Sequence, residues 1–142
     1  MATDLTPAQA LDWAFAEPRT AKLATVTVDG APHVAPVWVA RDGDRLVFNT
    51  GADTVKGRAL ARDPRVSICF DDERPPFSFV IVTGTAETTD DLDVVRRWAA
   101  VIGGRYMGAE RAEEFGERNG VPGELLVTVT PTKVRGALAI AD

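Results

Sequence analysis

The chain is poor in the side chains on which most reaction mechanisms rely. It has one cysteine and one histidine among 142 residues. A lone Cys69 excludes an intrachain disulfide and any multi-cysteine metal site, and a lone His33 excludes a histidine-rich cluster. No apolar run approaches the ~20 residues that span a bilayer. Lysine is scarce, with three against thirteen arginines. A net charge of −5 and a pI near 4.9 leave no general basic face for nucleic acid. The opening stretch MATDLTPAQALDWAFAEP carries acids and no base, unlike a secretory signal. These absences point to a cytoplasmic protein without metal, membrane or nucleic-acid partners.

What is present suffices for one domain over residues 1–142. The hydrophobic fraction is 45% and the charged fraction 26%, which excludes bulk disorder. At 15.2 kDa, about two-thirds of the unfolded surface should be buried on folding.

The pattern reads as mainly β with inserted helices. Thr6-Pro7 opens an N-terminal helix over about 5–16, with Thr as cap and Pro in the first turn. Alternating apolar runs at 21–28 and 31–40 flank Asp29-Gly30, a hairpin signal. Arg41–Asp44 turns into a third strand at 45–50, so three strands are expected as a meander. Asp53 or Thr54 caps a helix over 53–62, which ends at Asp63-Pro64. Strands follow at 65–71 and 77–89, the latter bulged at Gly84. Helical spacing covers 90–103 and 109–119, and a last strand at 124–139 kinks at Pro131. Six antiparallel strands with helical plugs suggest a small barrel or sandwich.

Three segments stand out chemically. Lys56, Arg58, Arg62 and Arg65 fall within ten positions, against one acid, Asp63. Thr50 and Thr54 lie just upstream, and a helix begins there with free N–H groups that favour anions. Cations at that end are unfavourable for the helix itself, so the segment reads as an anion site or as a solvated basic face. Pro36-Val37-Trp38-Val39 lies on a neighbouring strand, where Trp38 is either core or the wall of an aromatic site. Phe77 and Phe79 open a strand on one face and suit a core, a subunit contact or a flat-ligand platform. His33 lies at the start of a strand; it either serves structure or is the one side chain suited to give a proton near neutral pH. Mid-strand Cys69 reads as inert.

The order LATVTVDGAPHVAPVWV, VKGRALARDPRVSICFDD, SFVIVTGTAE, RYMG and VPGELLVTVTPTKV resembles the pyridoxamine 5′-phosphate oxidase-like superfamily. Within it, the chain is similar to the actinobacterial F420-dependent flavin/deazaflavin oxidoreductases, over about residues 20–138. The resemblance implies a six-stranded antiparallel split β-barrel of the FMN-binding type and a homodimer with coenzyme F420 in a groove between subunits. Thr50, Thr54, Lys56 and Arg58 would meet the cofactor phosphate, and Pro36, Val37, Trp38 and Val39 would run along the ring. Phe77 and Phe79 would come from the partner subunit. Independently of the resemblance, a barrel with few helices leaves one face uncovered, and Phe77, Phe79 and Trp98 are candidates to fill it in a dimer. Members that hold FMN carry Arg and Lys on the second strand, whereas His33–Ala40 has none. The substrate-binding C-terminal arginines and tryptophan of the vitamin B6 oxidases have no counterpart beyond Lys133 and Arg135. The implied activity is hydride transfer from reduced F420 to a conjugated, electron-poor small molecule, with no catalytic side chain required. Two alternatives remain: an FMN-binding oxidoreductase on the same fold, and a non-enzymatic cofactor binder or carrier.

Overall fold

The computed structural model describes all residues, Met1–Asp142. In chain order the elements are β1 (Thr3–Leu5), α1 (Pro7–Phe15), β2 (Ala21–Val26), β3 (Pro32–Val37), β4 (Ala40–Asp42), β5 (Arg45–Gly51), α2 (Val55–Arg62), β6 (Arg65–Asp72), β7 (Ser78–Thr89), α3 (Leu92–Met107), α4 (Ala112–Asn119) and β8 (Glu124–Leu138). A 3-10 turn over Ala109–Arg111 joins α3 to α4.

Eight strands replace the six expected. They form one sheet in the order β3-β2-β6-β7-β8-β5-β4, with β1 paired to β8. Every pairing is antiparallel. The path is open, because β3 and β4 are its two ends. The expected strand at 31–40 is therefore two strands at opposite edges, and the three-strand meander is interrupted. The cause lies in the bonding at the break: the Val39 N–H donates to the Tyr106 hydroxyl at 3.1 Å and not to a neighbouring strand. The strand β1 was not anticipated; three residues are too few to show a period.

Local chemistry fixes the junctions. Thr6 and Gln9 form a reciprocal capping box at α1. The hairpin turn after β2 places Gly30 at φ +85°, a conformation glycine adopts without strain. The bulge falls between Thr83 and Gly84, opposite Pro131 and Lys133. A Cβ on Gly84 would stand 2.5 Å from the Thr130 carbonyl oxygen. The helix expected at 90–103 continues to Met107 through Gly103-Gly104, and only the second part of 109–119 is α-helix. Glycine there permits contact: a Cβ on Gly103 would lie 2.2 Å from the Phe115 Cβ. The missing side chain lets α4 pack against α3.

The main core lies inside the curved sheet, centred on Leu23, Phe48, Ile68, Phe70, Val80, Val82, Val127 and Val129, with α1 closing one end through Ala10, Leu11 and Ala14. A second, smaller core of Ala40, Val47, Val95, Ile102 and Leu126 forms where α3 covers β4, β5 and β8, with Trp38, Trp98 and Tyr106 packed against it. Trp98 is thus partly buried within its own chain. No helix is long and apolar enough to cross a membrane.

The start of α2 sits on the end of β5 so closely that a Cβ on Gly57 would be 2.2 Å from the Gly51 carbonyl oxygen. Gly57→Ala should therefore cost about 1–3 kcal/mol, lowering Tm by roughly 3–12 °C in a thermal melt. An unchanged Tm would mean that this contact is not tight.

Candidate functional site

The candidate site is a cleft of about 320 Å³ lined by Thr20, Pro36, Val37, Trp38, Asn49, Lys56, Ile102 and Asn119. It lies where four units meet: the entry to β2, the end of β3, the end of β5 with the start of α2, and the α3–α4 insertion. Lys56 is its one ionisable lining residue.

The β5–α2 junction forms the end of the cleft that carries Lys56. Thr54 caps α2 by accepting the Gly57 N–H at 3.0 Å and gives its own proton to the Gly51 carbonyl at 2.8 Å. With that proton placed, the 3.0 Å contact between the Thr50 and Thr54 hydroxyls has Thr50 as donor. Both hydroxyls are thus committed to the turn. The N–H groups of Val55 and Lys56 lack an intrahelical acceptor, as at any helix start.

The basic cluster divides. Arg65 forms a bidentate pair with Asp63, with Nη2 to Oδ2 at 2.7 Å, and this hydrogen bonding holds the Asp63 carboxyl down at about 2. Arg62 donates to the Thr27 carbonyl. Arg58 lines a separate shallow groove with Thr27, Val28, Asp29 and Val55, since positions two apart point to opposite sides of a helix. Of the four cations, Lys56 alone lines the cleft.

Trp38 forms a wall and is fixed from behind. Its indole lies parallel to the Tyr106 ring, with centroids 5.1 Å apart, and meets Phe115 edge-on at 5.9 Å. Pro36 is exposed and Val37 and Val39 are buried. The outer edge of β3 has no sheet partner.

Other candidate residues lie elsewhere in the chain. Thr25 and His33 face each other across β2 and β3, and His33 does not line the cleft. Its Nδ1 is sealed from solvent without a partner. Phe79 lines a different groove with Leu5, Val134 and Arg135. Phe77 is 39% exposed and adopts φ +64°. One chain therefore brings Pro36, Val37, Trp38 and Lys56 together and leaves Phe77 and Phe79 apart. The sequence reading missed Thr20, Ile102, Asn119 and Asn49 as lining residues. Asn49 was detectable as the one polar side chain within LVFN, and its Nδ2 is buried without a partner.

Two larger grooves carry weaker claims. One of about 530 Å³ is lined by charges that pair among themselves, as Lys22–Asp71 at 2.6 Å and Arg74–Asp72 at 2.9 Å. The other, about 620 Å³, lies beside α1 and the β8 kink and holds none of the expected site residues.

The fold is an open antiparallel sheet whose edge strand β3 ends beside the start of α2 and the cleft, and comparison with known proteins identifies its family. A family model for pyridoxamine 5′-phosphate oxidase matches residues 8–137. The chain belongs to that family, a family of flavin-binding oxidoreductases. It is 34% identical over 110 residues to pyridoxine/pyridoxamine 5′-phosphate oxidase of Burkholderia mallei, covering 75% of this chain and 50% of that protein. The chain thus spans about half the length of that relative. Among solved structures, a conserved hypothetical protein from Mycobacterium tuberculosis matches with TM-score 0.79 at 25% identity, covering 93% of this chain and 84% of that one. An F420 reductase matches with TM-score 0.69 at 25% identity, covering 87% of this chain and 94% of that one.

Tyr106 is the chain's single tyrosine, so its titration is directly readable. Burial raises its pKa above the usual 10.0. Its phenolate absorbance should appear above pH 10 in the folded protein and near 10 after denaturation. The folded state holds this proton more tightly, so stability should fall as pH rises past the unfolded value. Coincident folded and unfolded titrations would contradict the burial of this hydroxyl.

Proposed function

We propose that the chain is an F420-dependent reductase that works as a homodimer, with the cofactor seated in the Lys56–Trp38 cleft at the subunit boundary. The observation that carries this reading is the convergence, in one cleft, of Lys56 at the start of α2 with Trp38 and the unpaired edge of β3. The residues fit a phosphate-bearing planar ligand. Lys56 and the free N–H groups of α2 suit the phosphate, and Trp38 suits a flat ring. The unpartnered Asn49 amide gains an acceptor when a ligand fills the site.

Two findings favour the deazaflavin over FMN. No Lys or Arg lies between His33 and Ala40, where FMN-holding members of the resembled family carry them, and an F420 reductase shares the fold at 25% identity. Reduced F420, when bound, supplies hydride to a conjugated, electron-poor small molecule. The protein's part is to hold the phosphate, wall the ring and limit water. Lys56 is the only ionisable group lining the cleft, so solvent supplies the proton to product. The homodimer reading rests on the outer side of β3, where Val34 is 66% exposed beside exposed Pro32 and Pro36. The family resemblance has Phe77 and Phe79 reach the site from the second copy.

Titration of F420 fluorescence tests the reading. Lys56→Ala should weaken binding roughly ten- to hundredfold, as loss of a charge-assisted hydrogen bond implies, and Arg58→Ala should weaken it less. Unchanged affinity in Lys56→Ala would place the phosphate elsewhere, and tighter binding of FMN than of F420 would assign the cleft to FMN. His33→Ala should change turnover by less than about tenfold, against the ~10²–10⁴ of general acid catalysis.

A further inference from the structure

The α3–α4 insertion does more than cover β5. The Tyr106 hydroxyl donates to the Arg19 carbonyl at 2.6 Å and accepts the Val39 N–H at 3.1 Å. Arg19 precedes Thr20 and Val39 follows Trp38, and both Thr20 and Trp38 line the cleft. A single hydroxyl therefore ties together the two backbone segments that carry these lining residues.

The ring of the same residue adds orientation. It lies within 4° of parallel to the Trp38 indole, and Phe115 closes the indole edge at 61°. Trp38 is only half-buried despite these two neighbours. One indole face is taken by Tyr106, and Trp38 also lines the cleft. The adjacent Arg105 donates to the Phe15 and Glu17 carbonyls at 2.8 and 2.9 Å, anchoring the end of α3 to the same approach to β2. The stacked and edge-on contacts of Trp38 each favour a defined ring geometry.

We propose that Tyr106 is a positioning residue that holds Trp38 as a fixed platform for the planar body of a ligand whose anionic group sits at Lys56. The proposal rests on the cleft being a cofactor seat. It assigns the two ends of the ligand to different parts of the fold: the anion to the β5–α2 junction, and the ring to the α3–α4 insertion acting through Trp38.

Two variants separate the contributions. Tyr106→Phe keeps the stack and loses both hydrogen bonds, whereas Tyr106→Leu loses both bonds and the stack. Each is titrated with F420 below its melting temperature, and with inorganic phosphate followed by the chemical shift of the Lys56 amide. Hydrogen exchange at the Val39 amide reports the lost bond. The F420 dissociation constant should rise roughly 3- to 10-fold in the Phe variant and roughly 10- to 100-fold in the Leu variant. Phosphate affinity should stay at the wild-type value in both, and Val39 exchange should accelerate. Wild-type F420 affinity in the folded Phe variant would overturn the proposal, as would a parallel loss of phosphate affinity, which would mark general damage. If the Leu variant does not fold, the Phe variant decides alone. Wild-type protein that binds neither F420 nor FMN would defeat the reading of the cleft, and the platform with it.

Discussion

The arrangement of the site depends on one hydroxyl at the β5–α2 junction. Thr54 Oγ1 accepts the Gly57 N–H, gives its proton to Gly51 and receives that of Thr50. These three bonds turn the chain from strand to helix within three residues. They work only because Gly57 carries no side chain, so the helix start lies against the Gly51 carbonyl. The turn sends Lys56 into the cleft and leaves the first N–H groups of α2 unbonded. Placing a cation at a helix start opposes the helix dipole, and a bound anion would relieve that conflict.

The second determinant is the division of the core. β5 is buried on both sides: Leu46 and Phe48 enter the main core, while Val47 faces α3 in the smaller one. The small core includes no part of β3 or β2. It reaches the cleft through Ile102 and through Trp38, which packs against it. The insertion packs on the sheet through this small core, and the polar bonds of Tyr106 and Arg105 tie the end of α3 to the approach to β2.

Much of this was legible in the sequence, and the failures share a cause. Local signals held: the Asp29-Gly30 hairpin, the Thr6 and Thr54 caps, the bulge at Gly84 and the stop at Asp63-Pro64 all follow from nearest-neighbour chemistry. The errors came where distant residues decide. The alternation of 31–40 runs unbroken through Trp38 and Val39, yet the strand ends there because the Val39 N–H bonds to a residue 67 positions away. Gly103-Gly104 resembles a helix stop, and only the presence of Phe115 shows why glycine is needed within the helix. The basic cluster reads as one charge patch, but Asp63 and the Thr27 carbonyl take up Arg65 and Arg62. Arg58 leaves by helical geometry, a separation that its spacing from Lys56 already contained. Asn119 and Ile102 carry no local signal, since only the packing of α3 and α4 brings them to the cleft.

The central claim is that a single cleft holds the anionic group at Lys56 and the ring at Trp38. A crystal structure of the protein soaked or grown with F420 tests it most directly. The claim predicts the cofactor phosphate within hydrogen-bond distance of the Lys56 ammonium and the N–H groups of Val55 and Lys56, with the deazaflavin ring against Trp38 and along β3. A phosphate held in the groove beside α1 and the β8 kink, or a ring with no contact to Trp38, would contradict it.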